Sequence, residues 1–148
     1  MDSNNKIAHY DIDLDYDLWL QEQADKLRSH SFTDLDIDNL VEELESLVRG
    51  EKSAVESLAY QIILHLLLID YGATESERNR NHWRAEINGF QYQLQNKLTK
   101  NLNNHLIDNL ENIYIKARKG AALKTGLERD RFPDTCPYEL IKILEESE

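Results

Sequence analysis

The chain has 148 residues, with 28 Asp and Glu against 17 Lys and Arg, a formal net charge of −11. That length suits one domain with a full core, and the acidic balance opposes long-range attraction of a polyanion such as nucleic acid. One cysteine, Cys136, excludes an internal disulfide and fits a reducing, cytoplasmic setting, while two prolines and five glycines are too few for an all-β chain of this size.

Residues 1–10 are polar and aperiodic and lack the apolar run of a secretory signal, so a mobile N-terminus is expected ahead of a single helical domain over 11–148. The first helix is predicted from about Asp13–Asp15 to Arg28, with Tyr16, Trp19, Leu20, Ala24 and Leu27 on its apolar face. Four aspartates, at 11, 13, 15 and 17, gather at its start, where the helix dipole favours negative charge. They alternate as in a calcium loop, but Ile12 and Leu14 intervene and the glycine and closing glutamate of an EF-hand are absent, so the dipole explains them better.

After the loop SHSFTDL, a second helix is predicted to open at Asp36 or Asp38. Ile37, Leu40, Val41, Leu44, Leu47 and Val48 form its stripe, and Glu42, Glu43, Glu45 and Arg49 occupy the other face. Glu45 and Arg49 are four apart in the favourable acid-first order. Gly50 reads as a break or bend, and a third helix is predicted from Glu51 to Tyr71. Val55, Leu58, Ala59, Ile62, Ile63, Leu66 and Ile69 share one of its faces, and Leu64, Leu67 and Leu68 point to the opposite side. A helix apolar on all sides must be covered on all sides. The apolar run is too short for a bilayer, which needs about 20 residues, so this is read as the central helix of a soluble bundle.

A polar loop, YGATESERNRNH, leads into a fourth helix with the seam Trp83, Ile87, Phe90, Leu94 and Leu98. A fifth begins near Lys100–Asn104 with Leu106, Ile107, Leu110, Ile113, Tyr114, Ala117 and Ala121; its two alanines allow another helix to come close. Gly126 reads as its C-terminal cap, with Leu127 as the accompanying apolar contact. Beyond the loop ERDRFPDT, Pro137 is predicted at the first position of a short sixth helix whose apolar face is Leu140, Ile141 and Leu144. The expected fold class is therefore all-α, a single-domain bundle of five or six helices around a buried central helix.

Several of these segments, in order, resemble the bacterial family catalogued as domain of unknown function 29. They are DYDLWLQEQADKLR, LDIDNLVEELESLVRGEKSAVES, the HLL of ILHLLL, RNHWRAEI and IYIKARKGAALKTGLERDRFPDTCPY, spread over about residues 10–145. The resemblance implies a small, all-helical cytoplasmic domain with no assigned activity, and nothing catalytic carries over from it. Where the family pattern places a glycine before Arg49 this chain has Val48, so the turn into the central helix is expected to differ.

Chemistry-bearing sets are sparse. His82 with Glu86, and His105 with Asp108, share helix faces, but neither pair has a visible partner pair, and His65 is alone in an apolar run. A lone histidine there is better read as a hydrogen-bonded core residue than as a ligand; no metal, cofactor or catalytic set is assigned. Cys136 precedes a predicted helix start, where a dipole lowers a thiol's pKa, but no base lies near it in sequence and a capping role is simpler. Phosphate-loop motifs are absent.

Charge is unevenly spread: residues 1–57 hold 15 acids and 5 bases, and residues 78–131 hold 11 bases and 5 acids. Two oppositely charged faces meeting inside one fold is the simpler reading. Glu45 is expected to pair with Arg49 and with one of Arg78, Arg84 or Arg118, and Glu42 is a further binding candidate. The basic stretch Arg78, Arg80, His82, Trp83, Arg84 combines cations with an aromatic, as a nucleic-acid surface would, and Lys116, Arg118, Lys119 and Lys124 add a second basic run. Two functions are carried forward. One is a non-enzymatic protein-interaction or regulatory module, self-associating or docking a partner through Leu64, Leu67 and Leu68. The other is a nucleic-acid-binding or processing factor that uses the 78–84 stretch with Glu42, Glu43 and Glu45.

Overall fold

The stretch read as two helices parted at Gly50 is one. The computed structural model, which describes residues 10–72 and 77–145, carries the backbone from Ile37 to Tyr71 as a single helix of 35 residues. Gly50 keeps helical geometry, and a Cβ built on it would meet nothing within 4 Å. Good helix formers on both sides absorb its propensity cost of about 1 kcal/mol.

Among the described residues the fold is all-α, with five α-helices and no strand. They are α1 (Tyr16–Arg28), α2 (Ile37–Tyr71), α3 (Glu77–Lys97), α4 (Lys100–Thr125) and α5 (Leu140–Leu144), with single 3-10 turns at Phe32–Asp34 and Arg129–Arg131. The expected mobile segment over 1–10 falls almost wholly on residues 1–9, outside the described residues; Tyr10 is described, and its backbone N–H donates to Glu22 Oε1 at 3.2 Å. The chain divides into two compact units, Met1–Val48 and Arg49–Glu148.

The first unit is a helical hairpin. Asp11 closes a turn ahead of α1: its carbonyl accepts from the N–H of Asp15 at 2.7 Å, and its Oδ1 accepts from the N–H of Asp13 at 2.8 Å. Asp36 opens α2, its carbonyl accepting from the N–H of Leu40 at 2.9 Å. Trp19 and Gln23, one helical turn apart on α1, are the buried residues of that helix. Both bond to Asp36: the Trp19 indole donates to its carboxylate, and its backbone N–H donates to Gln23 Oε1 at 2.8 Å. Tyr16 stacks on Trp19 with ring centroids 6.3 Å apart and donates its hydroxyl to Glu43 Oε1 at 2.6 Å.

The second unit holds the core. Ile62 to Leu68 of α2 are all buried. Around them the core cluster takes Ile87 and Leu94 from α3, and Leu106, Ile113, Tyr114, Ala117 and Ala121 from α4. Helix α4 is closed at both ends. Thr99 Oγ1 accepts from the N–H of Leu102 at 3.2 Å, and Gly126, at φ 77°, donates its N–H to the Ala122 carbonyl at 2.8 Å. The small residues of α4 let α2 approach: a Cβ on Gly120 would sit 2.5 Å from the Tyr60 hydroxyl oxygen and 3.6 Å from a Leu64 methyl.

The chain beyond α4 supplies the rest of the cover. Phe132, Tyr138 and Ile143 belong to the same core cluster, and Phe132 meets Tyr71 edge-on at 6.5 Å. Helix α5 starts at Leu140, not at Pro137; Leu140 and Leu144 pack against the core as expected, but Ile141 is exposed and the third apolar residue of the face is the fully buried Ile143. Gln91, buried on α3, donates to the Ile143 carbonyl at 3.1 Å and ties the short helix down. Helix α3 likewise begins earlier than expected, at Glu77, so the second half of the predicted loop is helical.

By length and by the composition of one 18-residue window, α2 would also suit a bilayer crossing. More than half of that window is buried inside the fold. The burial of Ile62–Leu68 against α3 and α4 accounts for the apolar run.

Candidate functional site

Leu64, Leu67 and Leu68 are not available to a partner. They are 7%, 0% and 1% exposed, buried by the chain's own residues, so the rear face of α2 is part of the core and the expected interface there is corrected. Gly120 of α4 lies against Leu64, and all three leucines belong to the same core cluster as Phe132, Tyr138 and Ile143.

A close row of uncovered apolar side chains lies elsewhere, in the first unit. On α2, Ile37, Val41, Leu44, Leu47 and Val48 are 59%, 48%, 60%, 58% and 52% exposed. At helical spacing these residues, with the half-buried Leu40, form one continuous stripe. Helix α1 packs beside it: the α2 residues that bond to α1, Asp36 and Glu43, lie on one flank, so Trp19 is buried there while the stripe stays open. Leu20 and Leu27, on the α1 face shared by Tyr16 and Gln23, are also exposed, at 37% and 47%. Soluble chains rarely leave a contiguous apolar face of a few hundred Å² without a use for it.

The flanks of the stripe are acidic. Asp38, Glu42 and Glu45 stand on the side away from Glu43, and Glu42 and Glu45 are exposed. Residues 10–48 hold 12 acidic and 2 basic side chains. Accepting from Tyr16, the Glu43 carboxylate pushes that phenol's pKa up. Asp36 is held below the usual carboxylate range, first by the Asn39 side-chain amide at 2.8 Å and then by the Trp19 indole.

The other charged candidates are placed differently from expectation. Glu45 and Arg49 are both exposed and make no ion pair among the described residues; in water such an i, i+4 contact is worth only about 0.3–0.5 kcal/mol and does not hold two long side chains. Arg118 does not reach for an acid of α2. Its guanidinium donates to the carbonyls of Arg129 at 3.1 Å and Phe132 at 3.2 Å and to Asp134 Oδ1 at 3.2 Å, because the loop after α4 folds back within its reach. Arg84 donates to Asn81 Oδ1 on its own helix, and Arg78 is exposed. Trp83 of the basic stretch packs against the core.

Histidine and cysteine positions follow the same pattern of internal use. His65 Nδ1 lies 2.6 Å from the Gln61 carbonyl, and the ring tilts against Phe90 at 5.7 Å. His105 makes a contact that the sequence did not suggest: its Nε2 is 2.6 Å from Glu56 Oε2 on α2. The two residues are 49 positions apart, so spacing carries no signal of it. Cys136 does not cap α5, whose N-cap is Glu139; its N–H donates to Glu111, and burial pushes its thiol up instead of a dipole pulling it down.

The family model described as Domain of unknown function DUF29 matches residues 10–147, nearly the whole chain. The chain belongs to this family. Neither a curated protein nor a solved structure matches it. For this DUF29 member the departure at Val48 falls inside an unbroken helix, so the expected different turn before the central helix is no turn at all.

Proposed function

We propose that this DUF29 chain is a non-enzymatic protein-interaction module of the cytoplasm, and that the interaction face is the α2 stripe of the first unit. The observation that carries the reading is the exposure, by about half, of five aliphatic side chains in one helical register, Ile37, Val41, Leu44, Leu47 and Val48. An amphipathic helix that offers such a row to solvent has the form of one side of a helix-in-groove contact. The second unit supports this by contrast: its exposed large aliphatic residues, Ile107, Ile115, Leu123 and Ile141, are spread apart instead of forming one close row, and its His65, His105, Arg118 and Cys136 make internal contacts.

Site-specific photo-crosslinking in the native cells tests the reading. A photoreactive residue at Leu44 or Leu47 is expected to give a discrete protein adduct, while one at Leu123, 76% exposed on α4, gives none. Equal or absent adducts at all three positions count against the stripe as an interface.

A further inference from the structure

We infer that the occupant of the α2 stripe is a single basic amphipathic helix of a different protein, an inference that rests on the interaction reading above. Three features of the first unit select it. The stripe runs from Ile37 to Val48, about 17 Å at 1.5 Å per residue, so it accommodates three turns of one partner helix. Five half-exposed aliphatic side chains offer an area well below the roughly 800 Å² per partner that a standard stable interface buries, which suits one docked helix better than an obligate dimer. Charge then sets the chemistry. Asp38, Glu42 and Glu45 line one flank, Glu43 stands on the other, and the unit carries 12 acids to 2 bases over residues 10–48. A second copy of this hairpin laid on the stripe brings like charge to like charge along its whole length, whereas a helix with apolar residues at i, i+3, i+4 and i+7 flanked by Lys and Arg meets complementary potential on both sides.

The exposed position of the stripe makes the test clean, since polar substitutions there leave Trp19 and the second unit's core untouched. The full chain is titrated into two labelled 18-residue helical peptides of identical leucine pattern, one with lysine and arginine flanks and one with glutamate flanks, and anisotropy is read at low and moderate salt. The basic peptide is expected to bind at least about tenfold more tightly than the acidic one, as a flanking-charge preference of this kind converts. Leu44→Asn with Val48→Asn is expected to weaken the basic peptide about tenfold or more, as loss of central apolar anchors does. Glu42→Gln with Glu45→Gln should weaken it less and flatten its salt dependence, and Leu123→Asn should change nothing. Circular dichroism confirms that each variant stays helical.

Equal binding of the two peptides, or binding indifferent to the stripe variants, overturns the inference. So does a light-scattering mass of two chains that returns to one in the Leu44→Asn, Val48→Asn variant, which assigns the stripe to a second copy. A Leu44 crosslink that maps to an acidic or non-helical segment of another protein overturns the basic-helix inference alone and leaves the interaction reading standing; no crosslink at all removes both.

Discussion

The Trp19 indole Nε1–H donates to Asp36 Oδ2 across 3.0 Å, and this bond joins the two arms of the first unit. Trp19 is 1% exposed and is the only apolar residue of α1 that is buried among the described residues, so this ring is the main apolar anchor that α1 brings to the hairpin. Removing the carboxylate, as Asp36→Ala, is expected to destabilise the hairpin by about 1–2 kcal/mol, the scale for a partly solvated bond to a charged group, and to shift Trp19 emission to the red. A Trp83→Phe background isolates the signal. An emission maximum unchanged from wild type would show that the ring is held by packing alone.

The same carboxylate makes the hairpin acid-sensitive. With the Asp36 pKa lowered in the folded state, its contribution is fully present above the unfolded value near 3.9 and is lost as pH falls through the folded value. Trp19 fluorescence is therefore expected to be flat from pH 7 to about 4.5 and to change only below the ordinary aspartate range. A transition centred near pH 6 would point to a histidine instead.

Gly50→Ala should stabilise the chain by about 0.5–1 kcal/mol, because the position is helical and open and alanine costs less entropy to order. Denaturant midpoints with an unchanged slope check this. A loss of stability would mean that the backbone at 50 needs freedom that a continuous helix does not.

On the other side of the same helix, Leu67→Ala is expected to cost about 2–5 kcal/mol, as for any fully buried leucine whose site cannot collapse. The double variant Leu64→Glu, Leu68→Glu should unfold the second unit and not merely separate a dimer, because both side chains are inside it. Retained helicity with a lower solution mass would restore the rear face as an interface.

The elements were legible in the sequence because periodicity reports apolar faces directly, as it did for Val55 to Ile69 and for the α4 stripe through Ala121. What periodicity does not report is which faces meet. The stripe from Ile37 to Val48 and the row Leu64, Leu67, Leu68 look alike as strings of aliphatic residues, yet the second is buried in a core built from distant parts of the sequence and the first is about half exposed. Gly50 misled for a related reason: a glycine weakens a helix by about 1 kcal/mol but does not end one when the flanking residues favour it. Contacts such as Glu56 with His105 are long-range and leave no local mark. Pro137 signals a helix start three residues ahead of the real one at Leu140, so the sequence places Cys136 at a cap it does not form.

The single helix that begins in one compact unit and ends in the other has a further consequence, in the time its amides take to exchange with heavy water. Backbone N–H groups near Ile37–Val48 are protected only by a hairpin with one buried ring, while those near Ala59–Leu68 open only when the second unit's core opens. Deuterium should therefore enter α2 from its N-terminal end, with a steep rise in protection on passing Gly50, although no break in hydrogen bonding marks the place. A ligand seated on the Leu44 row would slow the early half alone and move that boundary toward Ile37.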